Sequence, residues 1–213
     1  MKTRHSYEIG WEKEKQKSQQ HLARHVHLNI EHCKYTVVSK VAKILGWKIC
    51  DDRNENFDIL WTDSGQNIIK FVRKAKQFQR INHFPGMIKI YRKNGLARSM
   101  RKLQIVNKEE YSFFPTTWVL PDDYSEIVAF TKKHKDTVLI VKPSCGAQGK
   151  GIYLAVDVES IARDSDAVVQ TYVQKPLLID GFKFDLRIYV LVVCCDPLRI
   201  LIYDEGLVRI CTG

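Results

Sequence analysis

The sequence predicts a mixed α/β fold, and three stretches predict it. From Leu28 to Trp61 a strand, a helix and two further strands alternate. From Val138 to Val156 two apolar strands flank a glycine-rich turn, and from Lys183 to Val193 charged and apolar residues alternate as on a strand with two unlike faces.

Taken in order, residues 1–25 are rich in Lys, Glu and Gln, with Tyr7, Ile9 and Trp11 as apolar anchors, and read as a charged arm, frayed or helical. Leu28-Asn29-Ile30 reads as a strand. Thr36 is the expected N-cap of a helix on which Val37, Val38, Val41, Ala42 and Leu45 recur at helical spacing until Gly46 ends it. Trp47 to Cys50 and Phe57 to Trp61 follow as strands around a polar turn.

Between Ser64 and Lys108 the chain has no Asp or Glu, yet it carries Lys70, Arg73, Lys74, Lys76, Arg80, Lys89, Arg92, Lys93, Arg98, Arg101, Lys102 and Lys108. Those twelve charges exceed the net charge of +10 for all 213 residues. Such a run focuses positive potential and suits an acidic partner; a helix pair with solvated lysines is the lesser alternative. Nucleic acid and an acidic protein tail are the candidate partners; no RNA-binding signature, zinc-finger spacing or basic zipper favours nucleic acid. Within this run Asn82-His83-Phe84-Pro85-Gly86 reads as structural, with His83 a hydrogen-bonding pivot, Phe84 a core plug and Pro85-Gly86 a turn. Leu96, Met100 and Leu103 mark one face of a helix flanked by Arg98, Arg101 and Lys102.

Further on, Phe113-Phe114-Pro115 leads to Trp118-Val119-Leu120-Pro121, and Tyr124 to His134 reads as a helix with Ile127, Val128 and Phe130 inward. The helix delivers the chain to a strand in which Lys142 follows Val138, Leu139, Ile140 and Val141. Its stem is expected to be buried while its ammonium reaches a cavity, where a phosphate would compensate the charge.

The glycine stretch Gly146-Ala147-Gln148-Gly149-Lys150-Gly151 is followed by the strand formers Ile152 to Val156. It is therefore a hairpin, not the helix start of a Walker loop, and its spacing does not match the dinucleotide fingerprint. A glycine hairpin can close over phosphates, since backbone N–H groups approach the oxygens freely and Lys150 adds charge; by itself it also reads as a plain surface turn. On the later strand, Lys183, Asp185, Arg187 and Tyr189 project from one face and Phe184, Leu186, Ile188, Val190 and Val192 from the other, the expected core side. A Lys, an Asp and an Arg at steps of roughly 7 Å suit a polyanion and its metal.

Six cysteines, at 33, 50, 145, 194, 195 and 211, form no CxxC pair and read as reduced thiols. His21, His25, His27, His32 and Cys33 fit no common metal spacing. No apolar run reaches the roughly eighteen residues of a membrane span, and the charged N-terminus is unlike a signal peptide, so the expectation is a soluble, intracellular chain with no membrane contact.

Asn82 to Gly86, Phe114-Pro115-Thr116-Thr117-Trp118, Lys142-Pro143, the glycine hairpin, Lys175-Pro176-Leu177-Leu178-Ile179-Asp180-Gly181-Phe182-Lys183-Phe184-Asp185-Leu186-Arg187 and Tyr203-Asp204-Glu205-Gly206-Leu207 together resemble the tubulin tyrosine ligase-like family, most of all its polyglutamylase members. The resemblance covers about residues 28–212 and implies an ATP-grasp fold. It implies a basic N-terminal α/β lobe at 26–108 after the arm at 1–25, a central lobe with the hairpin at 109–173, and the start of a C-terminal lobe at 174–213.

The resemblance also implies an ATP-dependent ligase that joins free L-glutamate to side-chain carboxylates in tubulin C-terminal tails through an acyl phosphate. ATP would be held by Lys142, Gln148, Gly149, Lys150, the hinge Gln170-Thr171-Tyr172-Val173, and Lys183-Phe184-Asp185. Lys142, Lys183, Asp185 and Arg187 would serve catalysis, Arg209 the donor's carboxylate, and Arg98, Arg101 and Lys102 the acidic acceptor. The family implies Mg²⁺ as well, most of its ligands being expected beyond Gly213, where the chain reads as C-terminally truncated; Ile210-Cys211 stands where an aromatic and a small residue are more usual. A monomer on microtubules of the cytoplasm, cilium or flagellar axoneme is the implied setting. The open alternatives are a non-catalytic microtubule-binding module and an ATP-grasp ligase with another acidic acceptor or a glycine or tyrosine donor.

Overall fold

The computed structural model describes residues 25–50, 56–65 and 68–211. The arm expected at 1–25 lies outside the described residues except for His25, as do most of the polar turn after Cys50 and residues 212–213. The chain divides into two compact units, Met1–Gly86 and Met87–Gly213.

The first unit runs β1 (His27–Asn29), α1 (Thr36–Ile44), β2 (Lys48–Ile49), β3 (Ile59–Leu60), α2 (Ile68–Lys74) and β4 (Arg80–Ile81). Its strands form one parallel sheet in the order β2-β1-β3-β4. Parallel neighbours cannot be joined by tight turns, which is why helices separate them in the chain. Leu28 and Leu60 are its buried anchors. Tyr35, not Thr36, takes the N-cap position of α1: it is extended (φ −89°, ψ 111°) and makes no side-chain cap. Gly46 ends that helix as expected. At φ +71° its N–H donates to Lys43 O at 3.1 Å while Trp47 N–H reaches Ala42 O at 2.9 Å, satisfying two terminal carbonyls.

The Asn82 to Gly86 segment has the structural role expected of it. Asn82 accepts from Thr62 N–H and donates to Thr62 O, both at 3.0 Å, and His83 Nε2 lies 2.9 Å from the same carbonyl. These bonds tie the chain after β4 to the end of β3. Phe84 is half-buried, short of a core plug.

The second unit begins with α3 (Ile88–Tyr91) and α4 (Lys93–Val106), followed by β5 (Thr117–Val119), α5 (Tyr124–Lys133), β6 (Leu139–Pro143), β7 (Tyr153–Ala155), a 3₁₀ turn (Val158–Ser160) and β8 (Ala167–Thr171). These strands make an antiparallel sheet in the order β5-β8-β6-β7. Because side chains alternate across a strand, the sheet has two unlike faces. Trp118, Leu139, Val141 and Val169 point to one, where they pack with Leu120 and Ile127 in the main core, Phe130 meeting Trp118 edge-on at 4.8 Å. Val119 and Val168 point to the other and meet Ala97 of α4. By the same parity, Thr117, Lys142 and Gln170 lie on the α4 face.

The remaining strands are β9 (Leu178–Ile179), β10 (Phe182–Arg187), β11 (Val190–Cys195), β12 (Leu198–Ile202) and β13 (Leu207–Ile210). The single strand expected from Lys183 to Val193 is two: β10 lies between β9 and β13, whereas β11 pairs with β12 alone. The side expected to be core is open among the described residues, with Leu186 57%, Ile188 58% and Val190 54% exposed. Alternation correctly separates the two faces of β10, but no described element covers the apolar one.

Candidate nucleotide and carboxylate site

The site is built on the second unit, and its centre is Lys142. The ammonium donates to Gln170 Oε1 at 2.8 Å; Gln170 Nε2 donates to Thr117 Oγ1 at 2.8 Å; Thr117 in turn donates to Pro115 O at 2.7 Å. This relay orients the Gln170 amide, so its oxygen can only face the lysine. Lys142 is half-buried, and burial pushes its ammonium below the ordinary lysine range, with the charges of Lys93 and Lys183 pushing the same way.

The two neighbouring lysines come from distant parts of the chain. Lys93, at the start of α4, donates to Pro143 O at 2.8 Å and Gly146 O at 3.1 Å, which pins the root of the hairpin. Lys183 donates to Tyr172 Oη at 3.1 Å, its Nζ 4.7 Å from the Tyr172 ring centroid. Three ammonium groups around one half-buried position create a concentrated demand for an anion. Lys93 was legible in the sequence only as one member of the basic run, with nothing to mark it from its neighbours.

The glycine stretch is the expected hairpin, with Leu139, Ile140 and Val141 opposite Ala155, Leu154 and Tyr153. Gly146, Gly149 and Gly151 have φ of +129°, +74° and +71°, and Gln148 shares the left-handed region at φ +60°. A side-chain-bearing residue held there is strained, as recurs where a loop must present its backbone to a ligand. Lys150 is exposed on the turn.

At the end of β8, Thr171 N–H donates to Thr116 O at 3.0 Å, and just after it Tyr172 N–H donates to Val138 O at 2.9 Å. Both donors are therefore used within the protein. Val173, 54% exposed, is where the segment opens to solvent.

On β10, Lys183, Asp185 and Arg187 share a face, and Phe184 is half-buried on the other. Asp185 stands opposite Arg209 of β13, and the two form a bidentate ion pair at 2.6 and 2.8 Å. Hydrogen bonding to Asp185 raises the Arg209 guanidinium above its ordinary range. The geometry demonstrates that Arg209 presents a fork suited to a carboxylate, and also that Asp185 already occupies it.

Arg98, Arg101 and Lys102 lie together on α4, beside a cavity of about 340 Å³ that Thr117 also lines. Both arginines are ion-paired to the segment starting α5: Arg98 to Asp122 at 2.8 Å, Arg101 to Glu126 at 2.7 Å and Asp123 at 3.3 Å. Carboxylates downstream thus neutralise part of the run that the local sequence leaves unopposed. Lys102 is exposed.

The lysine cluster, the hairpin backbone and the Gln170 relay fit a polyphosphate. The residues present do not fit a self-contained Mg²⁺ site: Asp185 is tied to Arg209, and among the described residues no group of three or more His, Cys, Asp or Glu converges. Among the described residues, too, no helix is long and apolar enough to cross a membrane.

Residues 71–213 match the model of the tubulin-tyrosine ligase family. The chain is 45% identical over 185 residues to the tubulin polyglutamylase ttll6 of Danio rerio, covering 87% of this chain and 24% of that protein. It is 42% identical over 205 residues to the tubulin polyglutamylase TTLL13 of Mus musculus, covering 96% and 25%. To a probable beta-tubulin polyglutamylase of Tetrahymena thermophila it is 43% identical over 189 residues, 87% of this chain and 16% of that one. The chain thus spans about a quarter or less of the length of these curated relatives. With a matched region that includes the hairpin, the lysine cluster and the Asp185–Arg209 pair, this chain belongs to the tubulin-tyrosine ligase family.

Proposed function

We propose that this chain is part of an ATP-dependent ligase with an ATP-grasp fold that adds glutamate to glutamate side chains in tubulin C-terminal tails. The observation carrying this reading is the cluster of Lys93, Lys142 and Lys183 beside the glycine hairpin, a cation set with no carboxylate paired to it among the described residues. Kinship with polyglutamylases supports the choice of donor and acceptor.

In this reading Lys142, Lys183 and Lys93 neutralise phosphate oxygens, Gln148, Gly149 and Lys150 close the hairpin over them, and the Gln170–Val173 segment meets the base, with Val173 the open end. An acceptor carboxylate oxygen attacks the terminal phosphorus and the bond to the bridging oxygen breaks, leaving ADP and an acyl phosphate on the tail. The amine of free glutamate then attacks the acyl carbon, phosphate departs and a proton is lost from nitrogen, completing an isopeptide bond. These residues act by positioning and charge neutralisation. Arg209 holds the donor's carboxylate by exchanging Asp185 for it, and Asp185 and Arg187 stand at the phosphate end of β10. The family implies Mg²⁺, whose ligand set the described residues do not supply. A cytoskeletal site of action on microtubules accompanies the proposal.

The test is incorporation of labelled glutamate into tubulin by the full-length gene product with ATP, compared with Lys142→Met. Labelling that requires ATP and is lost in K142M is the expected result. Wild-type protein that pellets with microtubules but never incorporates glutamate would replace the ligase with a binding module, and incorporation of glycine or tyrosine instead would change the donor.

A further inference from the structure

We propose that a second basic cavity, on the flank of the hairpin, binds a side-chain carboxylate of the acidic acceptor peptide, with Ser144 and Arg92 as its donors. The inference rests on the ligase reading above and assigns the acceptor to a place other than the cavity beside Arg101 and Lys102. The cavity has a volume of about 400 Å³ and is lined by Ile88, Lys89, Arg92, Arg98, Ser144 and Cys145, with Asn94 and Gly95 completing it.

Two independent observations call for an anion there. Ser144 is 4% exposed and its Oγ has no hydrogen-bond partner among the described residues, although its backbone N–H is held by Asp166 O at 3.0 Å. A buried hydroxyl left unpaired is costly, and a ligand oxygen in the cavity would satisfy it. The cations are also unequally matched. Arg98 has Asp122 at 2.8 Å, whereas Arg92 turns Nη1 to Cys145 Sγ at 3.4 Å, a weak acceptor, lies with its Cζ 6.0 Å from the Tyr91 ring centroid, and pairs with no carboxylate among the described residues. A neutral hydroxyl and one guanidinium are the donor set of a single carboxylate, and Lys89 adds long-range attraction at the rim.

Position supports a peptide over the nucleotide itself. Lys93, between Arg92 and Asn94, reaches past the cavity to Pro143 O and Gly146 O, so consecutive residues serve the hairpin root and the cavity. An acidic chain with one carboxylate at Ser144 would carry its neighbour to the Lys142 cluster.

The test is binding of a fluorescent oligoglutamate peptide to the full-length protein, alongside binding of a fluorescent ATP analogue. Ser144→Ala, which changes no charge and relieves an unpaired hydroxyl in the free protein, is expected to weaken peptide binding about tenfold, the worth of a hydrogen bond to a charged group, without lowering Tm. Arg92→Met is expected to weaken it at least as much, Lys102→Met little, and the ATP analogue is bound equally by all three. Peptide affinity unchanged in S144A overturns the assignment, and so does a loss confined to K102M. If the pocket variants lose the peptide but the wild type never ligates glutamate, the cavity stands and the ligase reading falls; if ligation proceeds and S144A binds normally, the reverse holds.

Discussion

Asp185 and Arg209 face each other across the β10–β13 ladder, Arg209 Nε 2.6 Å from Oδ1 and Nη2 2.8 Å from Oδ2. Each side chain is 57% exposed, so water competes for both. An exposed pair of this kind adds little to stability and is free to exchange partners, which suits residues proposed to meet substrates.

Asp185→Asn should therefore leave Tm unchanged within error, while Arg209→Lys, which keeps the charge but loses the fork, should raise the KM for glutamate well above any change in the KM for ATP. Equal changes in both would remove Arg209 from donor binding. Steady-state kinetics with each substrate varied in turn separates the cases.

Lys142 carries a pH signature. Its folded pKa lies below the ordinary lysine value of 10.5, so the folded state binds fewer protons than the unfolded state between the two values. Stability contributed by this group is therefore lowest below the depressed folded value and rises as pH approaches 10.5. Lys142→Met should raise the Tm of the nucleotide-free protein at neutral pH, flatten that rise in alkali, and abolish nucleotide binding. Lys93→Met should move the Lys142 titration upward, since Lys93 is one of the charges lowering it; thermal melts across a pH series read both effects.

Gln170→Leu removes the acceptor of Lys142 and the donor to Thr117 at once. The half-buried ammonium then lacks its partner, and a destabilisation of about 1–3 kcal/mol is expected in urea unfolding. Gln170→Glu should instead raise the Lys142 pKa and weaken nucleotide binding by introducing a negative charge at the phosphate site.

Gly206 and Gly46 make a controlled pair. A Cβ on Gly206 would sit 2.7 Å from Arg187 O, the backbone facing the start of β13, whereas a Cβ on Gly46 meets nothing within 4 Å and suffers only φ +71°. Gly206→Ala should cost about 1–3 kcal/mol through displaced backbone and should also disturb the Asp185–Arg209 pair. Gly46→Ala should cost about 1–2 kcal/mol through left-handed backbone alone and leave substrate kinetics untouched.

The core offers the corresponding contrast. Ile127 is fully buried between α5 and the sheet, so Ile127→Ala should cost about 2–5 kcal/mol. Leu186, 57% exposed, should change stability by no more than about 0.5 kcal/mol when replaced by Ser, although periodicity alone, helical for Ile127 and alternating for Leu186, would rank both as core.

The local sequence was enough for the helices at Thr36, Lys93 and Tyr124, for the hairpin after Lys142, and for the sides taken by Lys183, Asp185 and Arg187, because period, glycine placement and propensity act over a few residues. It could not show that β10 and β11 join different sheets, since nothing within the Lys183 to Val193 stretch encodes which strands will lie beside it. Nor could it show that Asp122, Asp123 and Glu126 answer the arginines of α4. Those charges meet only when two helices pack on one unit.

The sequence by itself determined the mixed α/β class, the glycine hairpin and the basic character of α4. Only the tertiary structure decided that Lys93 joins Lys142 and Lys183, that Gln170, itself bonded to Thr117, holds the central ammonium, and that the Ser144 hydroxyl is buried beside Arg92 with no hydrogen-bond partner among the described residues. The reason is physical: periodicity along a chain assigns each side chain a face, but electrostatic and hydrogen-bond partners depend on strand register and helix placement, which contacts between distant segments decide.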